Sequence, residues 1–183
     1  NDDGITFDPR IAGVVFDPLD VVSLTGAIDQ GEPVSIAIGT DGSFVFDPPL
    51  PRDGSADGIR IAHIEARNSM GIVSKFEVSF TLDTALPLAP SLMLSAASGV
   101  VSSQTSNASR VTLLGTTDPG LGVTLVQTAA KALASNEGTF QFTSVPLNLG
   151  NNNFTAIATD VAGNIAQTLV TIQRVDTAGA MDP

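Results

Sequence analysis

The chain has 183 residues and a mass of 18.7 kDa, room for two domains of about 90 residues, and its 43% hydrophobic and 15% charged content excludes a disordered tail. Nineteen acidic against eight basic residues give a net charge of -11, which excludes nucleic acid and anionic membrane as default partners. Cysteine is absent and His63 is the single histidine, so disulfides, thiolate chemistry and histidine-rich metal sites are excluded.

In chain order the pattern is β almost throughout. Short runs of Val, Ile, Thr and Phe predict strands at Val21–Thr25, Val34–Ile38, Ser43–Phe46, Ile59–Ala66 and Val73–Leu82. They continue at Leu92–Leu94, Val111–Leu114, Val123–Gln127, Thr139–Thr143, Asn153–Thr159 and Ile165–Ile172. Turn signals separate them: Asp41-Gly42, Pro48-Pro49, Asp53-Gly54, Asp57-Gly58, Asp118-Pro119-Gly120, Glu137-Gly138 and Ala162-Gly163-Asn164. The one helix-tempting run, Ala129 to Ala134, is too short to hold a helix alone. Many short strands at this spacing predict a sandwich or barrel. No apolar run approaches the roughly 18 residues of a membrane span, so no membrane insertion by this segment is expected. The chain starts at Asn1 without a signal-like segment, which reads as a mature product or an excised fragment.

An internal repeat organises these elements. Gly26–Asp29 corresponds to Gly115–Asp118, Gly42–Phe46 to Gly138–Phe142, Ala66–Gly71 to Ala158–Gly163, and Leu82–Ala85 to Val175–Ala178. The order is kept, and the offsets drift by a few residues. This predicts two copies of one β domain, at 1–84 and 91–176. A proline-spaced linker at 85–90 lies between them, and a further linker starts at 177–183. Up to Leu86 there are fourteen acidic and five basic residues, against five and three beyond it. Domain 1 is expected to lack one strand between Ile38 and Ser43.

Three segments resemble the bacterial immunoglobulin-like (Big-type) tandem repeats of large secreted surface and adhesin proteins. Ala156–Asn164 is similar to the penultimate strand of that family running into its Asp-x-Ala-Gly-Asn hairpin. Asp83-Thr84-Ala85 and Asp176-Thr177-Ala178 open linkers of the family's kind. Glu137–Phe142 is similar to the glycine-aromatic strand before its Leu-x-x-Gly turn, here Leu147–Gly150. Domain 2 matches along nearly its whole length. Domain 1 diverges: its hairpin reads Asn68-Ser69-Met70-Gly71-Ile72. The resemblance implies an all-β fold, two immunoglobulin-like β-sandwich domains in tandem, on a secreted or cell-surface protein. Strand alternation then places Val111, Leu113, Val123, Leu125, Phe140, Phe142, Phe154, Ala156, Ala158, Leu169 and Ile172, or their register partners, between the sheets. Gly163 should supply the positive φ that a tight hairpin needs.

Catalytic signals are sparse. There is no Gly-x-Ser-x-Gly elbow and no phosphate-cradling glycine loop. His63 lies inside a strand run and reads as a solvent-facing strand residue. Most aspartates precede Gly or Pro, where they form turns. Phe-Asp-Pro occurs three times, at Phe7, Phe16 and Phe46. It reads as a strand end, with a buried Phe and a Pro that cannot donate to the ladder. Lys75 and Lys131 are the only lysines, and Lys131 lies in a loop-like segment, which disfavours a cross-strand isopeptide bond.

The best constellation is a candidate Ca²⁺ site at the interdomain junction. In an immunoglobulin-like sandwich, the loops joining strands two to three and six to seven share one end. In domain 2 these carry Asp118, Asp160 and Asn164, and the incoming linker carries Asp83. Hard oxygen donors from several loops suit Ca²⁺. The expected function is that of a non-catalytic spacer or adhesive segment. Its partners would be neighbouring repeats of the same chain and a host or cell-surface protein or glycan. The alternative is a carbohydrate-binding module accessory to an extracellular enzyme. Sugar stacking is best served by Trp and Tyr, both absent here.

Overall fold

In a computed structural model, residues 4–176 are described. The segment 177–183, expected to start a further linker, lies outside them. The chain divides into two units, Asn1–Ala85 and Leu86–Pro183. Each is an immunoglobulin-like sandwich of two mainly antiparallel sheets.

The first unit contains β1 (Ile5–Thr6), β2 (Ile11–Val14), β3 (Val21–Ile28), β4 (Val34–Ser35), β5 (Ser43–Phe46), β6 (Gly58–Asn68) and β7 (Val73–Leu82). One sheet runs β1-β7-β6-β3-β4 and the other is β2-β5. Between them lie buried Leu24, Ile36, Phe46, Ala62 and Ile64. These positions alternate with outward residues along each strand, as a half-buried sheet requires.

The second unit contains β8 (Met93–Leu94), β9 (Val100–Ser102), β10 (Thr105–Ser106), β11 (Arg110–Thr116), β12 (Gly122–Leu125), β13 (Ala130–Leu133), β14 (Thr139–Pro146), β15 (Gly150–Thr159) and β16 (Ile165–Arg174). Its sheets run β13-β12-β15-β16-β10-β9 and β14-β11-β8. Thirteen buried apolar residues fill it, among them Leu92, Leu113, Leu125, Phe140, Phe142, Phe154 and Ile172. Phe140 and Phe142 meet edge to face, with centroids 5.6 Å apart, a favoured aromatic geometry.

Register establishes the equivalence of the two units. Gly13 pairs with Phe44 on β2–β5, and Gly115 pairs with Phe140 on β11–β14. Val15 N donates to Gly42 O, and Thr117 N to Gly138 O. Ala66 pairs with Ser74 as Ala158 does with Ala166. The β6–β7 and β15–β16 turns close through Gly71 and Gly163, at φ of 82° and 98°. Phe44 therefore matches Phe140, and Gly71 matches Gly163, as the repeat in the sequence implies.

Other expectations need correction. Gly115 matches Gly13, not Gly26. Gly26 lies on β3 opposite Ile64, the position that Leu125 fills on β12 opposite Ala156. Leu82 matches Arg174, not Val175, because the β7 and β16 registers place it there. Domain 1 lacks no strand between Ile38 and Ser43. The strands without a counterpart, among the described residues, are β8 and β9. Leu169 is 66% exposed, and Val170 packs on the core instead. Leu169 and Ile172 are three apart, and a period of two cannot put both on one face. Ala130–Leu133 is a strand because β12 pairs with it, so Lys131 is not in a loop. Of the three Phe-Asp-Pro phenylalanines, only Phe46 is a buried strand end; Phe7 and Phe16 are exposed.

The glycine under each phenylalanine ring is a steric requirement. A Cβ on Gly115 would overlap the Phe140 ring and Ser91 O. Gly122 on the neighbouring β12 has open space. Gly115→Ala is therefore expected to cost about 1–3 kcal/mol through overpacking. Gly122→Ala should stay within about 0.5 kcal/mol. Urea melts of the two variants check the contrast.

Candidate functional site

The polar groups gather where the strands end. In the second unit the β11–β12 connection and the β15–β16 turn share one end, because Gly122 pairs with Thr159. Asp160 Oδ1 accepts from Gly163 N and Asn164 N, and Oδ2 accepts from Asn164 Nδ2 at 2.9 Å. Asp118 Oδ2 accepts from Leu88 N at 2.7 Å, and Thr117 Oγ1 donates to Leu88 O at 2.6 Å. The segment entering the second unit is thus held by two adjacent side chains. Asp83 belongs to the first unit and accepts from Ala85 N.

Asn68 occupies the Asp160 position in the first unit. Its Oδ1 accepts from Met70 N and Ile72 N. The turn is the same, made by an amide instead of a carboxylate. Asp20 supports it from the start of β3, accepting from Asn68 Nδ2 and Ser69 Oγ. At the other end, Asp57 Oδ1 accepts from Thr84 N and Thr84 Oγ1.

Of the four residues expected to hold Ca²⁺, the structure joins Asp160 and Asn164 by hydrogen bonds and ties Asp118 to Leu88. Among the described residues, no three His, Cys, Asp or Glu side chains gather into a group that could hold a metal ion. His63 lies opposite Glu77 across β6–β7, with Nδ1 2.9 Å from Glu77 Oε1. Both side chains face solvent in part, as a surface cross-strand pair does.

Sequence reasoning missed an opening in the first unit. A cleft of about 540 Å³ lies between the sheets, lined by Ile11, Gly13, Leu24, Phe44, Ile64 and Phe76 among others. A smaller hollow of about 360 Å³ adjoins it beside Ile11, Phe76, Val78 and Phe80. The available signal was the spacing Ile11-x-Gly13, which repeats Leu113-x-Gly115 and marks β2 as a strand.

No protein-family model matches this chain. No curated protein matches it either. Among solved structures, the fibronectin(III)-like modules of Clostridium thermocellum CbhA are similar over 100% of this chain and 96% of theirs, at 14% identity and a TM-score of 0.50. That likeness is one of fold. A tetra-tandem repeat in the extending region of a large adhesion protein matches 96% of this chain at 21% identity, with a TM-score of 0.38. A Ca²⁺-stabilized adhesin that helps an Antarctic bacterium bind ice matches 90% at 18% identity, with a TM-score of 0.37. This chain spans 47% and 43% of the lengths of those two proteins.

Several first-unit carboxylates sit below the ordinary aspartate value of about 3.9. The Ser69 hydroxyl holds Asp20 down, the Ile61 amide Asp29, the Ser43 hydroxyl Asp41 and the Ser55 hydroxyl Asp53. Arg10, hydrogen-bonded to Asp8, does the same there. A depressed folded pKa contributes stability that is present above the unfolded value and is lost as pH falls through the folded one. The first unit is therefore expected to lose stability progressively below about pH 4. Carboxyl-detected NMR titration should give midpoints below about 3.9 for these aspartates, and Ser43→Ala should raise that of Asp41.

Proposed function

We propose that the chain is a non-catalytic structural module, a spacer or adhesive segment of a longer secreted or cell-surface protein, with neighbouring repeats of the same chain as its partners. The observation that supports this most is where the carboxylates are spent. Asp20, Asp41, Asp53, Asp57, Asp118 and Asp160 all accept from backbone amides or side chains that fix loops and strand ends. Groups committed in this way stiffen each unit. They do not converge on a substrate, as acid–base chemistry requires. The repeated sandwich topology fits the same reading.

One observation favours testing carbohydrate binding as the second reading. Phe16 is fully exposed and Phe76 is 60% exposed, and exposed rings are what sugars stack on. A glycan microarray with the labelled chain is expected to show no retained glycan. A micromolar hit abolished by Phe16→Ala or Phe76→Ala would replace the spacer with a carbohydrate-binding module. Ca²⁺ binding at Asp83, Asp118, Asp160 and Asn164 is a separate proposal. Ca²⁺ at one hundred times its dissociation constant would add about 2.7 kcal/mol. A melting temperature that rises when millimolar CaCl₂ replaces EDTA supports the ion, and an unchanged one removes it.

A further inference from the structure

We infer that the outward face of the six-stranded sheet in the second unit is a self-association surface, and that its occupant is the same face of a second copy of this chain. This goes beyond the spacer reading, which stands whether or not copies pair.

The face is built from the residues of β15 and β16 that strand alternation turns away from the core. Phe154, Ala156 and Ala158 are buried in that core, so Asn153, Thr155 and Ile157 point outward. Their partners across the ladder are Thr171, Leu169 and Gln167, all three exposed. Ile165 continues the face opposite Thr159, and Thr124 on β12 extends it beside Ile157. Leu169 is 66% exposed and Ile165 55%. Ile157 lies diagonal to both, within side-chain reach. An aliphatic centre is thus surrounded by amides and hydroxyls. Cross-strand hydrogen bonds fix the polar side chains. Thr171 Oγ1 donates to Asn153 Oδ1 at 2.8 Å, and Thr155 N donates to Gln127 Oε1 at 2.8 Å.

Charge selects the occupant. The chain carries a net charge of -11. Yet among the outward strand residues of this sheet, the one charged side chain is Lys131, on the edge strand β13. The fold does not impose this neutrality. Register equates Thr155, Ile157, Gln167 and Leu169 with His63, Glu65, Lys75 and Glu77. In the first unit those four form cross-strand pairs, His63 with Glu77 and Lys75 with Glu65. Two copies of an acidic chain repel where their carboxylates meet. On this face they meet without like charges at the centre. A basic partner finds no carboxylate among these strand residues. Amide side chains and hydroxyls each donate and accept, so the face is complementary to itself about a two-fold axis. Its apolar centre and uncharged polar surround also match the anatomy of an interface, whose core is depleted of charge. Strand rise and spacing give the sheet a face of about 500 Å². Each side of a stable complex buries about 800 Å², so this pairing is weak and concentration-dependent.

The test uses the full chain. Sedimentation velocity from about 20 µM to about 1 mM should show a reversible monomer–dimer equilibrium. Added NaCl should not weaken it, because no charge pair holds it and screening relieves the remaining repulsion. Over the same range, amide NMR signals should shift at Asn153, Ile157, Gln167 and Leu169 and stay fixed at Glu65 and Glu77. Leu169→Glu installs the first-unit residue at an exposed position and brings carboxylates together across the axis. Dimerisation should weaken at least about tenfold, with the melting temperature unchanged. Should that variant unfold, Gln167→Lys, again the first-unit residue, decides in the same way. Three results overturn the proposal. One is a monomer at about 1 mM. Another is a dimer that the folded charge variants leave intact. The third is a shift of these amides with added cellohexaose and not with protein concentration, which would assign the face to a neutral glycan.

Discussion

The ring of Phe140 lies over Gly115, and the ring of Phe44 lies over Gly13, each so close that a Cβ on the glycine would overlap it. This contact sets the rest of each sandwich. It fixes the two-stranded register of β2–β5 and β11–β14, which aims Phe46 and Phe142 inward two residues further along. Those rings share one buried cluster with residues of the facing sheet, Ala62 and Ile64 in one unit and Ala156 and Ala158 in the other. Interdigitation of the two inner faces is how a sandwich reaches interior packing density.

From this shared frame the units diverge in the size of their buried cores. The second unit adds Leu92 and Leu94 through β8 and buries thirteen apolar residues in one cluster, against five in the first. Burial stabilises at roughly 25 cal/mol per Å² of apolar surface, so the first unit has far less to draw on. Its glycine at position 26, where the second unit has Leu125, leaves that space to the Phe46 ring and Ile36. The first unit relies instead on polar ties at its ends. Asp20 holds the β6–β7 turn, Asp29 holds Ile61, and Asp57 holds Thr84. Most of the chain's acidic residues lie in this unit, which matches that use.

The strand pattern was legible where one face is clearly apolar. Ser43–Phe46 and Val73–Leu82 end where alternation predicts, and Gly163 has the positive φ that its turn demands. The sequence was silent where pairing alone decides. Ala-Lys-Ala-Leu at 130–133 has helical propensity, yet it pairs with β12 along its whole length. Ile5–Thr6 and Thr105–Ser106 are two-residue strands defined by parallel partners far along the chain. The repeat was misaligned at Gly26 because a Gly followed by an Asp recurs by composition. The correct anchor, Gly13, lies outside the strand runs predicted from the sequence, and its register with Phe44 identifies it. Asp160 and Asn164 were visible as a pair because a hairpin motif contains both. The cleft of the first unit was not visible, since its lining comes from β2, β3, β5, β6 and β7, which only the fold brings together.

The central claim is that one sandwich design occurs twice, with a larger apolar core in the second unit than in the first. Native-state hydrogen exchange on the full chain tests it most directly, because it reads opening free energies residue by residue. The account predicts that amides of β11, β12, β14 and β15 exchange only through an opening of higher free energy than those of β2, β3, β5 and β6. Equal protection of the two units would contradict it.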